Sequence, residues 1–246
     1  MVGQDASIGP VENEPQRPPE STPVDRKRFW GLIRQRPGWV LTWRGRIFLL
    51  AAATTLLVMI GRNLGSFLTV SAPVSADVLV VEGWLPDYAL DVALQEFRSR
   101  GCHMLYVTGG PLEAGYPFAE HQTYAERGLA GLIRQGLAPE MAQAVPAPAT
   151  LKDRTYGSAV ALRKWLQDHG IHPGKFNVVS IGPHARRTRL LFRKAFGSEA
   201  QIGIIAVEDR DYEPKRWWQS SQGVQAVLDE LAGYGYARFF FRAPKP

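Results

Sequence analysis

Asn177–Phe196 reads NVVSIGPHARRTRLLFRKAF, and this stretch decides the fold. An apolar run, Val178 to Ile181, breaks at Gly182-Pro183, and a basic, periodic segment follows. The pattern predicts a buried strand, a tight turn and a helix whose first turn carries His184, Arg186 and Arg187. In an open α/β sheet, ligands bind in the crevice beyond the carboxyl ends of the strands. A histidine and two arginines at that position suit an anion.

Working outward, the same alternation recurs. Val78 to Val81 is a β-branched run ending at Glu82-Gly83, and Ala89 to Arg100 has helical periodicity. Met104 to Val107 is a second strand, followed by Thr108-Gly109-Gly110, and Phe118 to Gln135 reads as a helix. Met141 to Val145 is a weaker strand, and Thr155 to His169 a helix with Asp153 or Thr155 as its cap. Ile202 to Val207 is the last strand, and a final helix is expected from about Gln222 to Tyr236. Continuous apolar strands alternating with helices predict an α/β fold: a Rossmann-like, doubly wound, mostly parallel sheet of about five strands over 76–246. The chain contains neither GxGxxG nor a P-loop.

The N-terminal part is of another kind. Residues 1–25 are rich in Pro, Glu, Gln and Ser, a composition that cannot offset its ordering entropy, and a disordered tail is expected there. Residues 26–46 hold seven basic and no acidic residues, interleaved with Trp30, Trp39 and Trp43. Ile47 to Ile60, IFLLAAATTLLVMI, is uncharged, and after Arg62-Asn63 the chain is apolar again. A basic flank, an aromatic belt and an uncharged run together predict one transmembrane helix over 47–68, with the lipid bilayer as its partner. The rivals are a buried helix of a soluble domain and a cleaved signal peptide ending near Val74-Ser75-Ala76; the basic region is long for the latter and the site too far from the apolar run. The positive-inside rule puts the N-terminus in the cytoplasm and the domain outside it, in the periplasm or beyond the cell. The net charge of +6 and pI near 9.6 then reflect an orientation signal, and no nucleic acid is expected as a partner.

Chemistry is expected at the strand ends. Glu82 is either a cap or salt-bridge residue or part of a site. Gly109 and Gly110 let backbone amides approach a ligand or simply permit a turn. Glu113 and Glu120 lie in or near the loop that follows, and Asp153 and Thr155 stand at a helix amide end that favours anions. His184 is the one histidine expected on the rim, as acid, base or donor, and Arg187 is the choice for gripping phosphate or carboxylate with its planar fork. Arg189, Arg193 and Lys194 fit a solvated face. Trp217-Trp218 either lids a pocket or rests on the sheet edge, and the tail Tyr234–Arg242, YGYARFFFR, either packs in the core or touches the bilayer. Cys102, the single cysteine, suits an inert core position. No metal-ligand spacing appears, and no residue pattern names a cofactor.

ADVLVVEG (Ala76–Gly83), VTGG (Val107–Gly110), Glu120, DRT (Asp153–Thr155) and SIGPHARR (Ser180–Arg187) occur in an order and spacing that resemble the domain-of-unknown-function family including SanA, YdcF and ElyC. The resemblance covers roughly Ala76 to Val207. It implies a Rossmann-like fold, functional positions at Gly109, Gly110, Glu120, Thr155, His184 and Arg187, and, as in several members, one membrane span with an envelope-facing domain. It also implies links to envelope integrity, peptidoglycan synthesis and lipid-carrier metabolism; one member is reported to bind S-adenosylmethionine. The chain departs from the pattern where Glu82 replaces a glycine and Gly157-Ser158 replaces a Glu-Asn pair, which removes a carboxylate and an amide. Asp153, Glu82 and Glu113 are the carboxylates available to compensate. The expectation is a membrane-anchored protein binding a small phosphate-bearing anion, with His184 as acid–base group, Asp153 or Glu82 as its partner, and Arg187 on the anion. The alternatives are a non-catalytic envelope scaffold and an S-adenosylmethionine- or nucleotide-binding protein.

Overall fold

The computed structural model describes residues 27–28, 33–35, 39–112 and 121–243. The tail expected to be disordered over 1–25 lies outside them, as do Glu113 and Glu120. The chain forms two compact units, Met1–Leu57 and Val58–Pro246. In the first, three short strands, β1 (Lys27–Arg28), β2 (Ile33–Gln35) and β3 (Trp39–Leu41), pair antiparallel within the segment expected to be a plain basic flank.

Helix α1 runs Trp43–Leu68 and is long and apolar enough to cross a membrane. None of its most apolar window is covered by protein; Leu50 and Leu57 are more than two-thirds exposed. A core helix of a soluble domain would be buried, so the bare apolar surface is compatible with a single-pass membrane protein.

The second unit alternates strand and helix: β4 (Val78–Glu82), α2 (Asp87–Ser99), β5 (Met104–Gly109), α3 (Tyr124–Arg134), β6 (Ala142–Pro146), α4 (Arg154–Asp168), β7 (Lys175–Ile181), α5 (His184–Phe196), β8 (Gln201–Val207) and α6 (Ser221–Gly235). The five strands pair in parallel in the order β6-β5-β4-β7-β8. The fold is thus the expected Rossmann-like α/β arrangement. Alternate residues of β4 feed two cores. Leu79 and Val81 pack with Leu90, Leu94 and Phe97 of α2, and Val78 and Val80 pack with Leu162 of α4 and Phe192 of α5. This two-sided burial is why the strands read as unbroken apolar runs.

The chain builds outward from β4 to β6, returns to β7 beside β4, and builds outward again. The return makes a topological switch point between β4 and β7, where their following helices diverge and leave a crevice.

Two local features differ from the sequence expectation. Helix α3 starts at Tyr124, not Phe118, because Thr123 caps it: its Oγ1 accepts from the Glu126 amide at 3.2 Å while Glu126 Oε2 accepts from the Thr123 amide at 3.0 Å. The linker after α1 is also held to the sheet. Ala72 bridges Ile204 at the outer edge of β8. The fully buried Asn177 reaches across Gly203 to the Val74 backbone, accepting from its N–H at 2.8 Å and donating to its C=O at 2.9 Å. A Cβ on Gly203 would stand 2.7 Å from that same Val74 nitrogen, so glycine is required for the reach.

Candidate functional site

The switch-point crevice holds a cluster of charged side chains from three elements. Glu82 ends β4, His184 and Arg187 occupy the first turn of α5, and Glu230 projects from α6. His184 sits between the two carboxylates, with Nδ1 2.9 Å from Glu230 Oε1 and Nε2 3.3 Å from Glu82 Oε1. The first is a hydrogen bond. The second is an ion-pair contact off the N–H direction, which leaves Nε2 buried without a well-formed hydrogen bond. Arg187 forks onto Glu230, Nε to Oε2 at 2.7 Å and Nη2 to Oε1 at 2.8 Å. Thr188 donates to the Glu82 carboxylate at 3.3–3.4 Å and lies 3.4 Å from Ser180 Oγ. The indole of Trp84 meets the imidazole edge-on at 5.2 Å.

These contacts set the charges. Burial alone pushes the His184 pKa down, but Glu82 and Glu230 together outweigh it and raise it to about 9. Burial also pushes Glu230 up, and its bonds to His184 and Arg187 overcome that and hold it down to about 2. The resting site therefore carries an imidazolium and a guanidinium against two carboxylates, and is close to neutral. The 3.0 Å approach of Arg187 Nη2 to His184 Nδ1 is then two donors converging on one Glu230 oxygen, not a bond between them. Chemically, a histidine in this state donates a proton or a hydrogen bond; it is not poised as a base.

Glu230 had no place in the sequence reading. A faint signal exists. The buried stripe of α6 runs Gly223, Val227, then Tyr234 at helical spacing, and Glu230 falls on that stripe, where an acid needs a partner.

The other predicted residues stand elsewhere. Asp153 precedes α4 in the left-handed region, at φ 55°, the only non-glycine residue there among those described, and its side chain caps nothing. Its charge acts on Arg187, but no bond links it to His184, so the partner role falls to Glu82 and Glu230. Thr155 lies in the first turn of α4, half-buried. Gly109 faces protein: a Cβ there would come within 2.6 Å of Tyr124 Cβ and 2.9 Å of the Ala125 nitrogen. The glycine serves the close seating of α3. Gly110 has open space and accepts a hydrogen bond from the Tyr124 amide.

The basic run divides in a way the sequence did not foretell. Arg193 fits a solvated face, but Lys194 pins the C-terminal segment through the carbonyls of Ala237 (2.7 Å) and Phe241 (2.9 Å). Arg186 covers the ring of Phe67 and donates to the Phe67 carbonyl. Within the tail, Phe241 packs against Leu191 and Tyr156, whereas Phe239 and Phe240 are three-quarters exposed.

An open groove of about 670 Å³ follows α4 from its N-terminus; none of the four cluster residues lines it, and its link to them is Asp153, whose charge acts on Arg187. Its floor is apolar, including Val145, Val160, Trp165 and Phe241, and its rim carries Lys152, Asp153 and Arg242. No family model and no curated protein matches the chain.

Proposed function

We propose that this is a membrane-anchored, envelope-facing protein of the kind that the SanA, YdcF and ElyC resemblance implies, binding a phosphate-bearing ligand at the switch point. The observation that carries the reading is the convergence of Glu82, His184, Arg187 and Glu230 where β4 and β7 part. Arg187 is about a quarter exposed and its Nη1 has no hydrogen-bond partner among the described residues, so its outer edge is the anion's approach. The amide end of α4, where Asp153 acts on Arg187, adds donors, and the groove that starts at Asp153 suits an apolar portion of the same ligand, such as a polyprenyl chain or a nucleobase. With its Nδ1 proton held by Glu230, His184 has Nε2, which lacks a well-formed hydrogen bond, as the donor it can offer a bound phosphate. That same arrangement favours, as a second reading, an enzyme in which His184 protonates a leaving oxygen.

The test is mass spectrometry of small molecules that co-purify with the full chain in mild detergent, wild type against Arg187→Ala. A phosphate-bearing species present in the first and depleted at least tenfold in the second is the expected result; identical extracts refute the site. The full chain is needed because Leu64, Leu68 and Val74 are packed into the domain. Orientation is checked separately by a C-terminal reporter active only outside the cytoplasm, and cytoplasmic activity refutes the envelope-facing assignment.

A further inference from the structure

The loop after β8 carries PKRWW, Pro214–Trp218, ahead of α6. The structure places this pair of tryptophans on α1, neither as a lid nor at the sheet edge. Trp217 is buried against Gly65; a Cβ there would stand 2.9 Å from Trp217 Cδ1, so glycine lets the indole lie on the helix backbone. Trp218 lies under the guanidinium of Arg62 at 5.3 Å. Leu64 and Leu68 of α1 complete the contact with Val227, Leu231 and Tyr234 of α6.

The length of α1 locates this contact along the membrane normal. From Trp43 to Arg62 the helix rises roughly 30 Å at 1.5 Å per residue, the thickness of a hydrocarbon core. Protein begins to cover the helix within a turn of that point, since Gly65 and Leu68 are buried. There is no spacer between span and domain. Arg62 and Trp218 therefore lie at headgroup depth, and Lys215 and Arg216 stand three and two residues before Trp218, where the backbone leaves helical conformation at Arg216 (φ -131°).

Those cations are unspent. Among the described residues, Lys215 and Arg216 are exposed and make no side-chain ion pair or hydrogen bond, and Arg62 has only its stacking contact with Trp218. Asp211 and Glu213 precede the segment and are exposed, yet neither pairs with it. Unpaired Lys and Arg beside an interfacial tryptophan form a combination that recognises anionic lipid.

We propose that Arg62, Lys215, Arg216 and Trp218 form a collar around the exit of α1 that binds the headgroups of anionic phospholipids in the leaflet the helix leaves. The collar rests on the membrane reading of α1. It orients the domain on the bilayer, so that the switch-point cluster, joined to the same helix through α6, keeps a set height above the surface.

Two measurements separate the collar from the reading beneath it. Carbonate extraction of membranes comes first: a chain released into the soluble fraction has no span and overturns both. An anchored chain is then purified in mild detergent, exposed to equimolar phosphatidylglycerol and phosphatidylcholine, and its retained lipids are counted by native mass spectrometry. Wild type, with three cations at roughly fivefold each, is expected to favour phosphatidylglycerol by about a hundredfold, with roughly fivefold lost for each charge removed in Lys215→Gln and Arg216→Gln. Lys175→Gln, at the opposite end of the strands, leaves the preference unchanged. Equal retention of the two lipids by wild type, or an undiminished preference in the double variant, overturns the collar alone.

Discussion

Replacing Glu82 by glutamine tests the charge state of the cluster with almost no change of shape. In the wild type, His184 has its pKa raised from 6.5 to about 9. At pH 7.5 it is then about 97% protonated, against about 9% for an ordinary histidine. A group with a raised folded pKa contributes stability that is complete below its unfolded value and lost as pH rises through the folded one. His184 therefore stabilises the domain fully below pH 6.5, and that contribution declines between 6.5 and about 9. The shift corresponds to at most about 3 kcal/mol, and about 2 kcal/mol is reasonable for a site with some solvent contact. Glu230 behaves oppositely: its contribution is complete above about 4.5 and is lost as pH falls toward about 2. In Glu82→Gln, burial is opposed by Glu230 alone. The His184 pKa is expected to fall back to 7 or below, and the domain to lose roughly 3 kcal/mol at pH 6, the low end for breaking a buried pair. The assay is an NMR titration of the imidazole resonances of the full chain in micelles, with His184→Gln assigning the peak, alongside urea unfolding at pH 6 and 9.5. Wild type should be less stable at the higher pH by about 2 kcal/mol, and the variant by less than 1. A wild-type His184 that titrates near 6.5, or a variant value still near 9, refutes the electrostatic account.

Two further substitutions probe the frame and the strained corner of the site. Asn177→Ala removes both partners of the Val74 backbone; roughly 2–3 kcal/mol is expected to be lost, read as a melting point lower by about 5–10 °C and as lost hydrogen-exchange protection over residues 69–76. An unchanged exchange pattern there would mean that the linker is held by other contacts. Asp153→Gly should stabilise the domain by up to about 1 kcal/mol, because glycine adopts the left-handed conformation without a Cβ penalty, and should leave the His184 titration in place. A shift of the His184 pKa by a full unit would make Asp153 its partner after all.

The sheet was legible because burial on both faces leaves an unambiguous trace: β-branched runs such as Val78–Val81 and Asn177–Ile181 have few other uses. Helix starts were less so. Phe118 reads as well into a helix as Tyr124 does, and only the reciprocal Thr123–Glu126 bonds place the boundary. His184, Arg187 and Glu82 could be named in advance because strand ends converge on one rim. What a strand-by-strand reading could not supply is which groups on other elements face them. Trp217-Trp218 had no visible partner until Gly65 and Arg62 were brought alongside.

Glu230 is the instructive case, because it changes what Arg187 is free to do. Its neighbours in sequence, Asp229 and Leu231, suggest an ordinary amphipathic helix, and the 45 residues between His184 and Glu230 carry no periodicity that would couple them. Yet its carboxylate takes the planar fork of Arg187 and the Nδ1 proton of His184, which are the two donors the sequence assigns to a ligand. A bound phosphate has two ways to engage them. It can take the outer edge of Arg187 and leave the ion pair intact, or it can displace Glu230, at the cost of leaving a buried carboxylate without its partners. The first route lets the cluster act as a preorganised donor and leaves α6 in place. The second would move α6, which also holds the last turns of α1, and so would couple ligand binding to the membrane helix. Because Glu230 stays ionised across the whole physiological range, displacement carries the larger penalty, and the outer edge of Arg187 is the route the charges favour.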